Sequence, residues 1–487
     1  MAYRDLREFI GELDRRGLLR RIAAPVSRDL EITQITDRVT KAGGPALLFE
    51  NVTGCSMPVL INAFGTLERM TLALGVDDLA EQAKRIEELI NPDIPEGFIE
   101  KLKKLPMLAR LAGYAPSIVK RGVCQEVVVE GEAVDLNALP VLTCWPGDAG
   151  RFITFPLVFT KHPQTGQRNI GLYRMQVFDR NTTGMHWQVH HDGAAHFDAY
   201  RRLGRRMPLA VAIGPDPVLS YAASAPLPPG MDEAFFAGFL RGKGVELVPC
   251  RTIEMEVPAT AEIVLEGYVD PAEPYRTEGA FGDHTGFYSL PDDYPAFHVT
   301  AVTHRADPIY QTIIVGAPPQ EDTFLGKATE RMFLPLVRMF IPEIVDYCLP
   351  QFGVFHNCVF VSIRKRYPLA ARKVMHAIWG LGQMMFSKLV VVVDEEVDVH
   401  DTDAVMFRVG ANVDARRDVV IVDGPVDVLD HAAPCVGAGS KMGIDATRKM
   451  PGEGVVRPWP ELIEMSDAVK QQVAHRWAEL GLGDLPV

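Results

Sequence analysis

The chain has 487 residues, 47% of them hydrophobic and 23% charged, which is too long for one ordinary core and predicts two or three soluble domains. Asp and Glu outnumber Lys and Arg by 63 to 50, a net charge of −13 that argues against nucleic acid as a partner, because phosphate neutralisation needs basic surface. Seven scattered cysteines without CxxC spacing exclude a disulfide framework and a cysteine zinc site, and fit reduced thiols in the cytoplasm. The N-terminal stretch carries charges throughout and has no signal-peptide pattern. The longest aliphatic run, Leu389 to Val393, is far short of the roughly 20 residues that span a bilayer.

In chain order, Leu6, Phe9, Ile10 and Leu13 lie near helical spacing, which predicts an amphipathic helix. Short buried strands are expected at Ala46 to Phe49 and Pro58 to Ile61, and helices at Leu67 to Leu74 and Leu79 to Ile90. These make a small α/β domain that ends in the region Pro106 to Pro116 and carries no catalytic pattern. From Ile118 the pattern turns to strands. They are expected at 125–130, 154–160, 170–178, 185–191, 209–213, 253–257, 262–269 and 295–305, most separated by Gly and Pro turns. Many strands and one clear helix, Asp232 to Arg241, suggest a barrel or closed antiparallel sheet. Gly316 to Asp322 reads as a linker. Beyond it a helix over Thr323 to Phe340 is predicted, kinked or broken at Pro335. Strands at 354–363, 388–393 and 419–422 alternate with helices, including 369–385, which implies a parallel or mixed sheet. Pro460 to Leu480 reads as a terminal helix that docks on another subunit.

The stretch Arg168 to Ala195 is unusually dense in polar groups, with Asn169, Arg174, Gln176, His186, Trp187, Gln188, His190 and His191. Runs 170–178 and 185–191 around the turn formers 179–184 predict a β-hairpin. Buried polar groups at this density need partners or a ligand. Asn169, His190 and Glu233 offer an amide oxygen, an imidazole and a carboxylate, a set that suits Mn²⁺ or Mg²⁺ better than zinc. On spacing alone they read more readily as a turn amide, a sheet histidine and a helix N-terminal carboxylate, because nothing local forces the three together. Glu278 and Asp283 lie on a glycine-bracketed loop that can approach a ligand closely. Arg174 could pair with one carboxylate and leave the other to work, and the alternative is an exposed acidic turn. Gly437 to Gly443 matches no nucleotide-loop spacing, though a loop of this kind could bind an anion through Lys441 and backbone amides.

Taken together, NIGLYRMQV (169–177), MHWQVHHDGA (185–194), DEAFFAGFLRG (232–242), VPATAEIVLEGYVDP (257–271), EGAFGDHTGFY (278–288), GAPPQEDTFLG (316–326), PEIVDYCLP (342–350) and GSKMGIDATRK (439–449) closely resemble the UbiD family. Its members are reversible decarboxylases of aromatic and α,β-unsaturated acids, and the resemblance covers nearly the whole chain.

The resemblance implies an α+β multidomain fold: an N-terminal α/β domain (1–117), a central flavin-reductase-like split β-barrel (118–316), a C-terminal α/β oligomerisation domain (317–455) and a C-terminal helix and tail (456–487). It implies prenylated FMN held with Mn²⁺ or a similar divalent metal, with K⁺ nearby. Asn169, His190 and Glu233 fall on its metal-ligand positions. Leu172, Tyr173, Arg174, His186, Trp187, Gln188, His191 and Asp192 fall on cofactor positions, with Lys441 reaching the flavin side. Arg174, Glu278 and Asp283 match its catalytic set, with Asp283 as the proton donor.

The expected substrate is 4-hydroxy-3-polyprenylbenzoate of ubiquinone synthesis. The alternatives are a menaquinone-pathway naphthoate, a phenolic acid, or, outside the class, flavin oxidoreduction on a split barrel. The partners implied are a flavin prenyltransferase that supplies the cofactor, further copies of the chain as a dimer or hexamer, and the inner membrane face if the substrate is lipophilic. Asn169 and Arg174 have opposite strand parity, so a bulge or kink near Gly171 is expected to turn both toward the cofactor.

Overall fold

The computed structural model describes residues 3–90, 110–188, 191–228 and 230–482. The region Pro106 to Pro116, expected to close the N-terminal domain, lies partly outside them, and so does His190. The first helix, Leu6–Arg15, starts where the Asp5 carboxylate accepts from the Glu8 amide at 3.0 Å, and it buries Leu6, Phe9, Ile10 and Leu13. Helices Leu67–Ala73 and Leu79–Ile90 form where the periodicity places them.

The N-terminal sheet runs Leu19–Ile22, Ala46–Phe49, Val59–Ile61 and Tyr310–Gln311. Its last strand comes from the far end of the central segment and pairs in parallel with Val59–Ile61. Helix Glu321–Phe340 is tied to the same sheet, because the buried Glu321 carboxylate accepts from the Asn62 and Phe64 amides at 2.7 and 2.8 Å. Pro335 does not end that helix. Residues 321 and 322, expected as linker, are its first turn.

The central sheet is antiparallel, in the order Thr182–Gly184, Ala296–His304, Ile263–Val269, Met207–Ile213, Leu157–Lys161, Arg168–Leu172, with Val127–Glu130 also on Ala296–His304. Strands 207–213 and 263–269 are buried almost throughout, which is why they read as continuous apolar runs rather than alternating ones. No pairing joins the Arg168–Leu172 edge to the opposite edge, so the described residues form an open sheet and the expected closed barrel is not found.

The C-terminal sheet has the order Ile344–Cys348, Cys358–Ile363, Leu389–Asp394, Ala438–Asp445, Val419–Pro425. Its three middle strands are parallel. The segment read as a loop, Gly437 to Gly443, is therefore mostly a strand inside a sheet, and backbone hydrogen bonding replaces the expected anion cradle. Helix Asp467–Arg476 forms in the tail and buries none of its residues. Among the described residues no helix is long and apolar enough to cross a membrane, and the seven cysteines are free thiols.

Candidate active site

The hairpin expected over 168–195 is divided between elements. Arg168–Leu172 pairs with Leu157–Lys161 in an unbroken register, Gly171 opposite Val158, so there is no bulge at Gly171. The break comes after Leu172. Tyr173 and Arg174 link that strand to Met175–Gln176, which pairs with Phe152–Ile153 in a separate two-stranded sheet. Changing sheets re-aims Arg174, the task assigned to a bulge. The expected strand 185–191 does not form over its described part. The chain leaves the sheet after Gly184 and enters the helix Asp192–Leu203.

Arg174 is the hub of a buried cluster. Its Nε donates to Glu278 Oε1 at 2.9 Å, its Nη1 to Asp283 Oδ2, and its Nη2 to Ser289 Oγ at 3.2 Å. The Phe281 ring lies 4.9 Å from the guanidinium. Glu278 Oε1 is also 2.9 Å from His186 Nδ1, and the His186 ring packs 4.4 Å from Tyr294.

The loop carrying both carboxylates is held by backbone contacts. Gln176 Oε1 accepts from Gly279 N, and Asp148 Oδ1 accepts from Gly282 N, both at 2.8 Å. A Cβ on Gly282 would stand 2.2 Å from the Trp145 ring, so glycine is required there by packing. Burial alone would raise the Asp283 carboxyl. The guanidinium of Arg174 and the imidazole of His284 overcome that and hold it well below the usual carboxylate range. Burial opposes the charge on Arg174, but its two carboxylate partners more than offset this and strengthen its hold on the proton.

Glu278 Oε2 and His186 Nε2 at this hub, and Trp187 Nε1 on a ring that packs against Tyr173, are buried without a hydrogen-bond partner. Leaving such atoms unsatisfied costs about 1–3 kcal/mol each, which marks a site that something else completes.

Beside it lies a cavity of about 280 Å³, lined by Asn169, Leu172, Tyr173, His191, Asp192 and Glu233, with Gln383 from the C-terminal segment. A wider depression of about 560 Å³ shares Pro228, Gly230 and Met231 with it. Glu233 opens the helix Glu233–Arg241, and its Oε2 accepts from the Ile170 amide at 3.0 Å. Burial pushes its carboxyl up to about 7, so its negative charge is under-compensated. Asn169 Nδ2 faces Tyr173 Oη at 3.4 Å, a contact that does not use the amide oxygen. His190 lies outside the described residues.

His186, Trp187, Gln188 and Lys441 do not line the cavity. Lys441 is buried in the C-terminal sheet and donates to Met385 O; burial lowers its pKa. Gln383 lies in the same 3₁₀ turn as Met385, which brings Lys441 behind the cavity wall rather than onto it.

Sequence reasoning did not single out Ser289, Tyr294, Asp148 or the helix Asp192–Leu203, whose N-terminus borders the cavity. Asp192, Ala195 and Phe197 begin a helical pattern that the preceding histidines obscured.

Family models match three stretches. The N-terminal, Rift-related and C-terminal domains of 3-octaprenyl-4-hydroxybenzoate carboxy-lyase match residues 10–89, 117–318 and 323–446. Uncharacterized proteins of Aquifex aeolicus and Archaeoglobus fulgidus are 52% and 51% identical over 482 residues, 99% of each chain. Among solved structures, vanillic acid decarboxylase of Sedimentibacter hydroxybenzoicus in its closed form has a TM-score of 0.86 at 27% identity, covering 99% of both chains. The UbiD-class enzyme HmfF of Pelotomaculum thermopropionicum with FMN has a TM-score of 0.79 at 31% identity, covering 97% of this chain and 99% of that one. An evolved dimeric form of HmfF with prFMN has a TM-score of 0.77 at 29% identity, covering 96% and 100%.

Proposed function

The chain belongs to the UbiD family of decarboxylases, and from that premise we propose that it removes CO₂ from an aromatic acid with prenylated FMN and a divalent cation in the Asn169–Glu233 cavity. The observation that carries this reading is the buried Arg174 joined to both Glu278 and Asp283. Hydride transfer between a flavin and a carbonyl has no need of such a paired-carboxylate arrangement, so flavin oxidoreduction is the weaker reading.

The residues fit the groups. Glu233 supplies an under-compensated carboxylate and Asn169 an amide oxygen, both suited to Mn²⁺ or Mg²⁺, and the family resemblance implies His190 as the third ligand. K⁺ would take oxygen ligands at the same wall. The N-terminus of the helix Asp192–Leu203 and Arg168 at the cavity suit a flavin phosphate. Tyr173, Leu172 and His191 offer faces for a flat ring system. Trp187 and His186 each present a nitrogen that lacks a partner. Lys441 would act through the turn at Met385 rather than by contact. Prenylated FMN, when bound, supplies the electron sink that makes loss of CO₂ from a ring carbon feasible.

The protein's own part is electrostatic. Arg174 receives the substrate carboxylate, held in place by Glu278, which His186 supports from the other side. That carboxylate arrives beside Asp283 and competes for the same guanidinium. A second negative charge and a shared cation both raise the Asp283 pKa, so Asp283 takes up a proton as substrate binds. Once CO₂ has left, Asp283 returns that proton to the ring carbon.

The likeness to vanillic acid decarboxylase favours a phenolic acid. The matched family description favours 4-hydroxy-3-polyprenylbenzoate, with a naphthoate as the other quinone-pathway candidate. A cofactor-supplying flavin prenyltransferase and assembly into a homo-oligomer belong to the same proposal. The test is CO₂ release from a panel of benzoic, naphthoic and cinnamic acids by cofactor-loaded protein. Release from an aromatic member supports the reading, and none from any member opposes it.

A further inference from the structure

The acid loop makes a second polar contact, away from Arg174, with the C-terminal segment. His284 Nε2 lies 2.8 Å from His356 Nε2. Asp427 Oδ2 lies 3.9 Å from that same His356 nitrogen. One ligand atom from each of the three residues falls within 4.8 Å of the others. None of the three belongs to the cavity described above.

The protonation pattern decides what this contact is. His284 Nδ1 lies 2.9 Å from Asp283 Oδ1. A carboxylate oxygen accepts, so the His284 ring proton belongs on Nδ1 and its Nε2 presents a lone pair. On His356, Nδ1 is buried without a hydrogen-bond partner, so no described hydrogen bond fixes which of its nitrogens carries the proton. A proton on His356 Nδ1 leaves a second lone pair on its Nε2, facing the first. In that form two lone pairs face each other at 2.8 Å and repel, and a cation between them removes the repulsion.

The surroundings also call for positive charge. Three carboxylates, Asp283, Asp322 and Asp427, lie close enough to act on His284. Arg174 is the nearby cation, and it is already engaged by Glu278 and Asp283.

We propose that His284, His356 and Asp427 form a binding site for a borderline divalent cation such as Zn²⁺, which pins the acid loop to the C-terminal segment. Two imidazole nitrogens and one carboxylate suit such an ion, and three protein ligands leave a fourth position for water. Asp283 behind His284 completes the carboxylate–histidine–metal arrangement that fixes a ligand's tautomer. Phe355 stacks on the His284 ring at 5.1 Å and holds its plane. Bonds of about 2.0–2.1 Å place tetrahedral ligand atoms about 3.3 Å apart. The two imidazoles must therefore open by about half an ångström, and Asp427 must close by a similar amount toward His356 and by at most about 1.5 Å toward His284. These movements are small enough for side chains alone. The site does not depend on the function proposed above.

The test uses the full chain, stripped of metal and titrated with Co²⁺ alone. Wild type is expected to develop the visible bands of four-coordinate Co²⁺, and Zn²⁺ to quench them. Glu233→Gln is expected to keep the bands. His356→Ala and Asp427→Asn are expected to weaken Co²⁺ binding at this site at least about tenfold. Circular dichroism confirms the fold of each, and Asp427→Asn keeps side-chain size should His356→Ala fail to fold. A wild-type spectrum without the bands means that the histidines share only a proton, and overturns the proposal. So do bands that survive Asp427→Asn unchanged, or bands that vanish with Glu233→Gln.

Discussion

Arg174 and Asp283 form a buried ion pair that keeps the proton donor of the proposed reaction charged until a substrate carboxylate reaches the guanidinium. An acid held in this state cannot give a proton. The structure therefore predicts that binding an aromatic carboxylate raises the Asp283 pKa and draws a fraction of a proton from solution, a fraction that grows as pH falls below neutral. Calorimetry in buffers of different ionisation enthalpy measures this directly, and Asp283→Asn should remove the uptake. Binding without proton uptake in wild type would contradict the sequence of events.

Asp283→Asn should lower turnover by about 10²–10⁴-fold, the usual contribution of a positioned acid, while the flavin absorption of the loaded protein is unchanged. Turnover at the wild-type rate would remove Asp283 from the chemistry.

Removing the cation between the two carboxylates is expected to be costly even without substrate. Arg174→Ala leaves Glu278 and Asp283 buried with their shared charge partner gone, and should destabilise the fold by about 3–5 kcal/mol in denaturant unfolding. A loss below about 1 kcal/mol would mean that the pair is better solvated than its burial implies.

Glu233 carries a pH signature. Burial raises its carboxyl from 4.5 to about 7. Between those values the folded protein holds a proton that the unfolded chain has released, so this group makes stability fall as pH rises through the window. Glu233→Gln, always neutral, should gain on metal-free wild type across that range, by up to about 3 kcal/mol above pH 7. Mn²⁺ should stabilise wild type and not the variant. Urea midpoints at about pH 5 and about pH 8, with and without Mn²⁺, check both signs. An unchanged difference between the proteins across these conditions would remove Glu233 from the cation site.

Gly282→Ala sets a new methyl against the Trp145 ring. Overpacking of this kind costs about 1–3 kcal/mol, but Asp283 is the next residue, so turnover should fall further than stability does. Normal turnover in a destabilised variant would show that the loop adjusts freely.

The elements most legible from sequence were those with one clear period and clean ends. Leu6–Arg15 has its apolar stripe and Asp5 cap, and Glu233–Arg241 has Asp232 before it and Gly242 after it in a left-handed conformation. What was lost depended on partners distant in the chain. Residues 185–188 alternate like a strand, yet the sheet has no place for them. Lys441 and Gly443 have the small and polar side chains of a loop, and only their neighbours in the sheet make them a strand. Gly443 in fact lies under Met375 and Trp379, where a Cβ would come within 2.5 Å of the Met375 sulfur.

The site followed the same rule. Arg174, Glu278 and Asp283 were named from motifs and are joined in the fold. The route by which Arg174 reaches them differs from the expected bulge, because Gly171 lies in a regular ladder and the chain changes sheets two residues later. The link from His284 to His356 spans 72 residues and two segments of the chain, and no local pattern encodes it.

The most direct test of the central claim is CO₂ release by wild type and Asp283→Asn, each loaded with prenylated FMN and Mn²⁺, over the panel of benzoic, naphthoic and cinnamic acids. Wild type should release CO₂ from at least one aromatic acid while the variant, with its flavin still bound, releases almost none. No release by loaded wild type from any acid, or equal release by both proteins, would contradict the account.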